Sequence, residues 1–336
     1  MVTLKQIAGV CGVSVASVSK ALNHAPDISA ETAEKIIRTA RELGYYPNAA
    51  ARALKTNRSQ NIGVLFEDDM HSGLTHEYFS HVLNAVKNEA ESRGYDITFI
   101  SKNLGGTPMS FLEHCKYRNC DGVVIANVDF SSPSVTELVN SDIPVVTIDY
   151  IFDNRSAVLS DNAQGMRDLV QHVYALGHRK IAFIHGEATA VTRSRLASFH
   201  RTCMALGLHI PGEYVIPARY HDPRASGLAT RALLALKDRP DCILYPDDIS
   251  ILGGMTEIEA RGLSVPEDIS IAGYDGITMS KLLRPMLTTL HQDSEALGSH
   301  SARLLIEEIE SPKTYVPQLL VIPGEVQTGG TVKRLE

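Results

Sequence analysis

Between Ile62 and Gly273 short β-branched runs alternate with amphipathic stretches, and this alternation constrains the fold more than any other feature of the chain. The runs are Ile62–Phe66, Ile97–Ser101, Gly122–Ala126, Val145–Ile148, Ile181–Ile184, Cys242–Tyr245 and Ile269–Gly273. Helical periodicity marks Tyr78–Arg93, Ala163–Leu176, Ser194–Leu206, Ser226–Leu236 and Ser250–Arg261. Strands that alternate with helices form parallel sheets joined by right-handed crossovers. The length of the chain allows two such lobes, and open α/β lobes hold ligands at the carboxyl ends of their strands.

The first fifty residues follow a different pattern. Thr3 and Gln6 have the spacing of a capping box, and Leu4, Ile7, Ala8 and Cys11 make one apolar face. Gly12 permits a turn, Ser14 is placed to cap a second helix, and Val18 and Leu22 face inward. Pro26-Asp27 breaks that helix. Ser29 caps a third, with Glu31 in its first turn, which runs through Ile36, Ile37, Ala40 and Leu43 and stops at Gly44. Short helix, glycine turn and serine-capped second helix have the spacing of a helix-turn-helix, whose second helix enters the DNA major groove. Pro47 and the alanines Ala49, Ala50, Ala51 and Ala53 favour one more short helix over 47–56. A helix of that length is not stable alone in water, so it folds only against a partner.

Charge separates the two parts. Residues 1–58 carry eight Lys/Arg against four Asp/Glu, a balance of +4, and the remainder carries 24 against 35, a balance of −11. A basic end on an acidic body fits a DNA-reading head joined to a domain that does not lie on phosphates. The five cysteines are odd in number and scattered, as in a reducing compartment, and Cys115 and Cys120 have no second Cys/His pair to complete a zinc site. No apolar run reaches the roughly 18–20 residues of a membrane span, and no signal peptide precedes the first helix. The expectation is a cytoplasmic protein without a membrane partner, metal or cofactor.

The residues resemble the LacI/GalR family of bacterial transcription regulators. In the head the resemblance rests on Val2-Thr3, Ile7-Ala8, Gly12-Val13-Ser14, Val18-Ser19, Leu22-Asn23, Glu42-Leu43-Gly44-Tyr45 and Tyr46-Pro47-Asn48 with Ala51-Arg52 and Leu54. In the body it rests on Ile62-Gly63, Leu176-Gly177-His178-Arg179-Lys180-Ile181, Val265-Pro266-Glu267-Asp268-Ile269-Ser270, Gly273-Tyr274-Asp275 and Leu287-Thr288-Thr289-Leu290-His291-Gln292-Asp293. It implies an all-α helix-turn-helix head (1–46), a hinge helix and linker (47–59) and an α/β two-lobed, periplasmic-binding-protein-like domain with parallel sheets (60–330). Lobe one is expected over about 60–160 and 291–320, and lobe two over about 161–290 and 321–330. It further implies a homodimer on a near-palindromic operator, controlled by a small molecule, here a sugar or polyol acting as inducer; the alternative is a regulator answering to a non-sugar corepressor or a partner protein.

By that resemblance the second helix opens on the base edges with Val15 and Ala16, which offer apolar contact, while Lys20 can reach guanine acceptors. Lys20 replaces a common arginine and lacks its bidentate fork. Thr3, Ser14, Ser17, Ser19 and Asn23 would bond phosphates or position the helix, although each also suits a plain cap or solvated face. Asn48, Ala51, Arg52 and Leu54 fall on the hinge helix, where paired leucines would wedge into the minor groove; the plain alternative for Leu54 is a contact within its own chain.

The resemblance also implies an effector site of Asp149, Arg195, Asp275 and Gln292. Arg195 would stand at the start of a lobe-two helix, Asp149 and Asp275 after strands, and Gln292 in a crossover between lobes. Carboxylates, a guanidinium and an amide suit vicinal hydroxyls. Tyr78, Phe79, Tyr150 or Tyr220 would stack on a sugar face, and Asp247, in Tyr245-Pro246-Asp247-Asp248, replaces a common asparagine near the cleft. The added negative charge favours a neutral sugar over a phosphorylated one. For each aspartate the plain alternative is a turn or helix cap. The acid-rich segment 67–73 reads equally as site or solvated loop.

Two other classes fit less well. Glycoside hydrolysis needs two carboxylates flanking one bond, a separation that the sequence neighbours Asp247/Asp248 and Asp68/Asp69 rarely reach. No P-loop, dinucleotide fingerprint or nucleophile elbow is present. A transport binding protein would carry no DNA-reading head.

Overall fold

The computed structural model describes residues 2–22, 25, 27–46, 58–67 and 73–336. Asn23, Pro26, Asn48, Ala51, Arg52 and Leu54, the helix read over 47–56, and Asp68 and Asp69 lie outside the described residues. The chain forms two compact units, Met1–Gln60 and Asn61–Glu336.

In the first unit, α1 (Leu4–Cys11), α2 (Val15–Leu22) and α3 (Ala30–Glu42) enclose Ile7, Ala8, Cys11, Val18, Ala21, Ile36 and Ala40. Both halves of the Thr3–Gln6 capping box are formed, and Ser29 caps α3 by accepting from Thr32 N–H. Gly12 closes α1 at φ 71°, a left-handed conformation open to glycine at little cost. Leu43 corrects the sequence reading. It is 38% exposed, and Thr39 takes the buried position, because α3 ends at Glu42 and Leu43 is already its C-cap.

The second unit has two lobes. In chain order, lobe one begins with β1 (Asn61–Phe66), α4 (Glu77–Ser92), β2 (Asp96–Ile100), a small hairpin of β3 (Asn103–Leu104) and β4 (Thr107–Pro108), α5 (Phe111–Tyr117), β5 (Gly122–Asn127), α6 (Pro133–Val139), β6 (Val145–Ile148) and β7 (Ser156–Ser160). Lobe two follows with α7 (Asn162–Ala175), β8 (Ile181–His185), α8 (Ala190–Ala205), β9 (Val215–Pro217), α9 (Pro223–Leu234), β10 (Cys242–Leu244), α10 (Ile251–Ala260), β11 (Ser270–Asp275), α11 (Thr278–Leu282) and β12 (Thr288–His291). The chain then returns to lobe one for α12 (Ser294–Glu310) and β13 (Leu319–Ile322), and ends in lobe two with β14 (Glu325–Gln327).

Lobe one is a parallel sheet in the order β13-β7-β6-β5-β1-β2. Lobe two repeats that order as β14-β12-β11-β10-β8-β9, with β14 alone antiparallel. Strands buried on both faces explain why β6 is a continuous apolar and β-branched run rather than an alternating one. Two cores lie on either side of each sheet. Thr288–His291, read from sequence as part of a crossover, is strand β12; the crossing itself falls at Gln292-Asp293, where Asp293 caps α12.

Candidate functional site

In the first unit, Ser14 accepts the backbone N–H of Ser17 at 3.0 Å, and the two hydroxyls lie 2.9 Å apart. The cap therefore occupies Ser14 and orients the start of α2, where Val15 and Ala16 are exposed. Thr3 is engaged in its capping box. Lys20, in the last turn of α2, is ion-paired with Asp27. That bond pulls the Asp27 carboxyl below its ordinary range.

In the second unit a cavity of about 450 Å³ opens at the carboxyl ends of the strands of both lobes. Lobe one contributes residues after β1, β5 and β6, and lobe two contributes residues after β8, β9 and β12 together with Asp275, the last residue of β11. This is where parallel sheets leave strand ends and loop N–H groups free for a ligand.

Arg195 is 4% exposed. It donates Nε to Asn162 Oδ1 at 2.7 Å and Nη1 to the Pro246 carbonyl at 2.9 Å, and its guanidinium lies 3.5 Å from the centroid of the Tyr274 ring. Burial works against its charge, but Tyr274, Tyr220, Asp275 and Asp149 outweigh that and hold its pKa up. Arg195 stands in the second turn of α8 rather than at its start, because the helix begins at Ala190, capped by Thr189.

Asp149 follows β6 with φ 56° and Asp275 ends β11 with φ 108°. Both are positive values that non-glycine residues rarely adopt, and such strain clusters at functional sites. Asp149 Oδ1 accepts the Ser160 N–H at 2.6 Å. Burial pushes its carboxyl up to about 6. Asp275 Oδ1 accepts Gln292 Nε2 at 2.7 Å, and burial pushes this carboxyl well above its ordinary value. Asn162 donates to the Ser160 carbonyl at 3.2 Å. One short crossover, Ser160–Asn162, thus positions Asp149 of lobe one and Arg195 of lobe two together.

The aromatic residues divide. Phe79, Tyr150 and Tyr220 line the cavity, and Tyr220 lies flat on Gly186, where an added Cβ would come within 2.1 Å of its ring. The Tyr220 and Thr192 hydroxyls are 2.8 Å apart. Tyr78 also lines the cavity, although it is largely buried and packs in the lobe-one core. Asp247 is a correction. It lies outside the cavity wall because its oxygens are taken up by the Ser250 N–H and hydroxyl, each at 2.8 Å, and by the His221 N–H at 2.9 Å. The cap alternative wins there, and His221, which Asp247 holds, is the residue that lines the cavity.

Sequence reasoning missed His76, Asn127, Phe130, Glu187 and His221 among the lining residues. Each ends or follows a strand or caps a helix without a motif around it. The lining is acidic: Glu67, Asp129, Asp149, Glu187 and Asp275 face one guanidinium, that of Arg195.

A helix-turn-helix unit in one chain with a two-lobed α/β unit around a polar cavity defines a ligand-responsive DNA-binding regulator. Comparison with known proteins specifies the family. Residues 3–48 match the bacterial regulatory proteins of the lacI family, and residues 170–332 match a periplasmic binding protein-like domain. An HTH-type transcriptional repressor PurR of Pasteurella multocida is 30% identical over 314 residues, covering 92% of each chain. A probable HTH-type transcriptional repressor ExuR of Bacillus subtilis is 30% identical over 329 residues, covering 95% of each. The crystal structure of the Lac repressor dimer bound to operator and the anti-inducer ONPF superimposes with a TM-score of 0.78 at 27% identity, covering 99% of each chain. The chain belongs to the LacI family of bacterial regulatory proteins. It is a transcriptional regulator and not an enzyme. Among the described residues no helix is long and apolar enough to cross a membrane.

Proposed function

We propose that this protein is a cytoplasmic repressor of carbohydrate-utilisation genes, a homodimer that holds a near-palindromic operator and releases it when a neutral sugar or polyol fills the cleft. The observation that carries the reading is the quartet of half-buried Asp149 and buried Arg195, Asp275 and Gln292, which converges on one cavity from both lobes. Together these groups donate and accept at fixed angles, as vicinal hydroxyls require. Glu67, Asp129 and Glu187 in the lining disfavour phosphorylated and carboxylated sugars.

On the DNA side, Val15 and Ala16 present an exposed apolar start of α2 to thymine methyls, and Lys20 reaches guanine acceptors. Ser14, Ser17, Ser19 and Thr3 position the helix on the phosphates. Asn23, Asn48, Ala51, Arg52 and Leu54 carry the roles that the sequence assigns them in the head and hinge. A ligand that closes the lobes shifts an equilibrium between operator-competent and released states.

The test has two stages. Duplexes are selected from a random library with the full-length protein, and the enriched site is then titrated against neutral sugars, polyols, phosphosugars, sugar acids and nucleobases. The expected result is a near-palindromic site, released at least tenfold by one neutral sugar. Release by a charged sugar or a nucleobase alone would replace the effector class, and failure to enrich any sequence would overturn the regulator reading.

A further inference from the structure

Neither Cys115 nor Cys120 lines the cavity, and the two lie close together at the end of α5. Arg118 is the C-cap of that helix, and Asn119 turns the chain through the left-handed region at φ 52°. The Cys120 N–H returns to the Cys115 carbonyl at 2.9 Å, and the Asn119 N–H to the Lys116 carbonyl at 3.0 Å. These two bonds form a Schellman motif, which sets the third residue before the cap beside the second residue after it.

An apolar contact commonly joins those two positions, and free cysteine packs well as a small hydrophobe. Here the contact is polar. The Cys115 thiol donates to the Cys120 sulfur, and Asn61 donates its Nδ2 to the same sulfur at 3.6 Å. The bond from Cys115 holds the Cys120 thiol below its ordinary value, with Arg118 adding to it, while burial and Asp121 oppose it. The same bond, and burial, push Cys115 up. Cys120 is half-buried, whereas Cys11, Cys115, Cys203 and Cys242 are buried. An accessible, acidified thiol beside a second, protonated one is the arrangement in which the first is oxidised and the second resolves it.

The pair stands at a sensitive place. Asn61 opens β1 and is the residue at which the chain enters the second unit. Besides Cys120 it donates to the Arg118 carbonyl at 3.2 Å; its Oδ1 accepts the Thr98 hydroxyl at 2.9 Å, and its carbonyl accepts the Asp121 N–H at 2.8 Å. The turn that carries Cys120 therefore holds the root of the segment that leads back to the DNA-binding head.

We propose that Cys115 and Cys120 are a peroxide-responsive dithiol that closes to a disulfide and thereby weakens operator binding. The Cys120 thiolate attacks one oxygen of hydrogen peroxide and the O–O bond breaks. Cys120 becomes a sulfenic acid, and the other oxygen leaves as hydroxide, which takes the proton that Cys120 gave up. The Cys115 sulfur then attacks the Cys120 sulfur, the S–O bond breaks, and the departing hydroxide takes the Cys115 proton. Two thiols and one peroxide thus give one disulfide and two waters. The buried Cys115 needs no path to solvent, since its target is its own neighbour. A ring closed across so few residues gains little from chain entropy, so a thiol reductant reopens it. A disulfide holds its sulfurs about 2.05 Å apart, closer than hydrogen-bonded thiols, so closure moves the sulfur that Asn61 holds. With the root of the linker less fixed, ordering it on DNA costs more. None of this depends on the identity of the effector.

The test starts from reduced full-length protein, which is treated with a low excess of hydrogen peroxide, blocked with an alkylating agent and digested with trypsin. Lys116 and Arg118 separate the two cysteines, so the disulfide links peptides 103–116 and 119–155. That linked pair is expected as the main oxidised product, and dithiothreitol should remove it. Operator affinity, read by fluorescence anisotropy on the selected duplex, is expected to fall at least threefold on oxidation and to recover with dithiothreitol. Cys120→Val, which keeps an apolar contact in the motif, is expected to bind operator as reduced wild type does and to ignore peroxide. Cysteines that stay alkylatable, or that overoxidise without linking, would overturn the dithiol. Linked protein that binds operator as the reduced protein does, or an equal loss of affinity in Cys120→Val, would overturn its control of the head.

Discussion

The imidazoles of His76 and His221 meet edge to face across the cleft, with ring centroids 3.8 Å apart. His76 is the N-cap of α4 in lobe one, its Nδ1 accepting the Phe79 N–H at 3.4 Å. His221 belongs to lobe two, with Asp247 Oδ1 3.7 Å from its Nδ1 and Asp275 Oδ2 3.9 Å from its Nε2. One residue along, Glu77 accepts the Thr278 N–H at 2.6 Å. The start of α4 is therefore a point at which the lobes hold one another beside the ligand.

Loss of that hold should speed ligand escape. In His221→Ala the effector's dissociation rate is expected to rise about three- to tenfold, with its association rate changed less, because mutants of one interface differ mainly in off-rate. Stopped-flow measurement of both rates decides this, and an unchanged dissociation rate would remove the latch.

Arg195 has a structural role beside the recognition role proposed for it. Arg195→Ala leaves Asn162 Oδ1 and the Pro246 carbonyl without their donor, and each buried acceptor so orphaned costs about 1–3 kcal/mol. The expected outcome is a loss of roughly 2–5 kcal/mol in urea unfolding, with effector binding abolished. Full stability with lost binding would show that those two bonds contribute little to the fold.

Two buried carboxylates set a pH dependence. Asp149 is pushed up to about 6 and Asp248 to about 7, in both cases chiefly by burial. A carboxyl whose pKa is raised on folding holds its proton in the folded state while the unfolded chain has lost it. Their contribution to stability therefore falls as pH rises from about 4 to about 7. Asp149 alone accounts for a change on the order of 3 kcal/mol at 1.36 kcal/mol per pKa unit. Asp149→Asn should flatten the slope between about pH 4 and pH 6, measured by denaturant midpoints. A wild-type midpoint that climbs steadily over that range would contradict the assignment.

In the head, Asp27 is ion-paired with Lys20, so the DNA contact proposed for Lys20 would have to displace it. Exposed ion pairs of this kind contribute about 0–1 kcal/mol, so Asp27→Asn should tighten binding to random-sequence duplex about two- to fivefold. The gain should vanish when Lys20 is alanine, as read by fluorescence anisotropy at fixed salt. An equal gain in both backgrounds would mean that Asp27 acts only as a general negative charge.

The sequence showed most of the scaffold because its signals are local. Val145–Ile148 reads as a strand from its own β-branching, and Thr3, Ser14 and Ser29 cap helices as their spacing requires. Ser156–Ser160 does not, since its two serines and single valine give no run to distinguish it from a loop. Leu319–Ile322 is an edge strand of lobe one, apolar throughout with Leu319 and Val321 exposed, so it shows none of the usual alternation. Within the site, Asp149, Arg195, Asp275 and Gln292 were found through a family resemblance. Their shared support at Ser160 and Asn162 was not, because hydrogen bonds between distant loops leave no periodicity. Asp247 shows the reverse error, a polar residue near the cleft whose side chain is consumed by the backbone around it.

If effector and operator compete through one equilibrium, thermodynamic linkage makes their effects on each other equal. The releasing sugar is titrated calorimetrically into the free protein and into the protein saturated with its selected operator. Operator is expected to weaken sugar binding by the same factor, at least tenfold, by which the sugar weakens operator binding. Equal sugar affinity in the two titrations would contradict it.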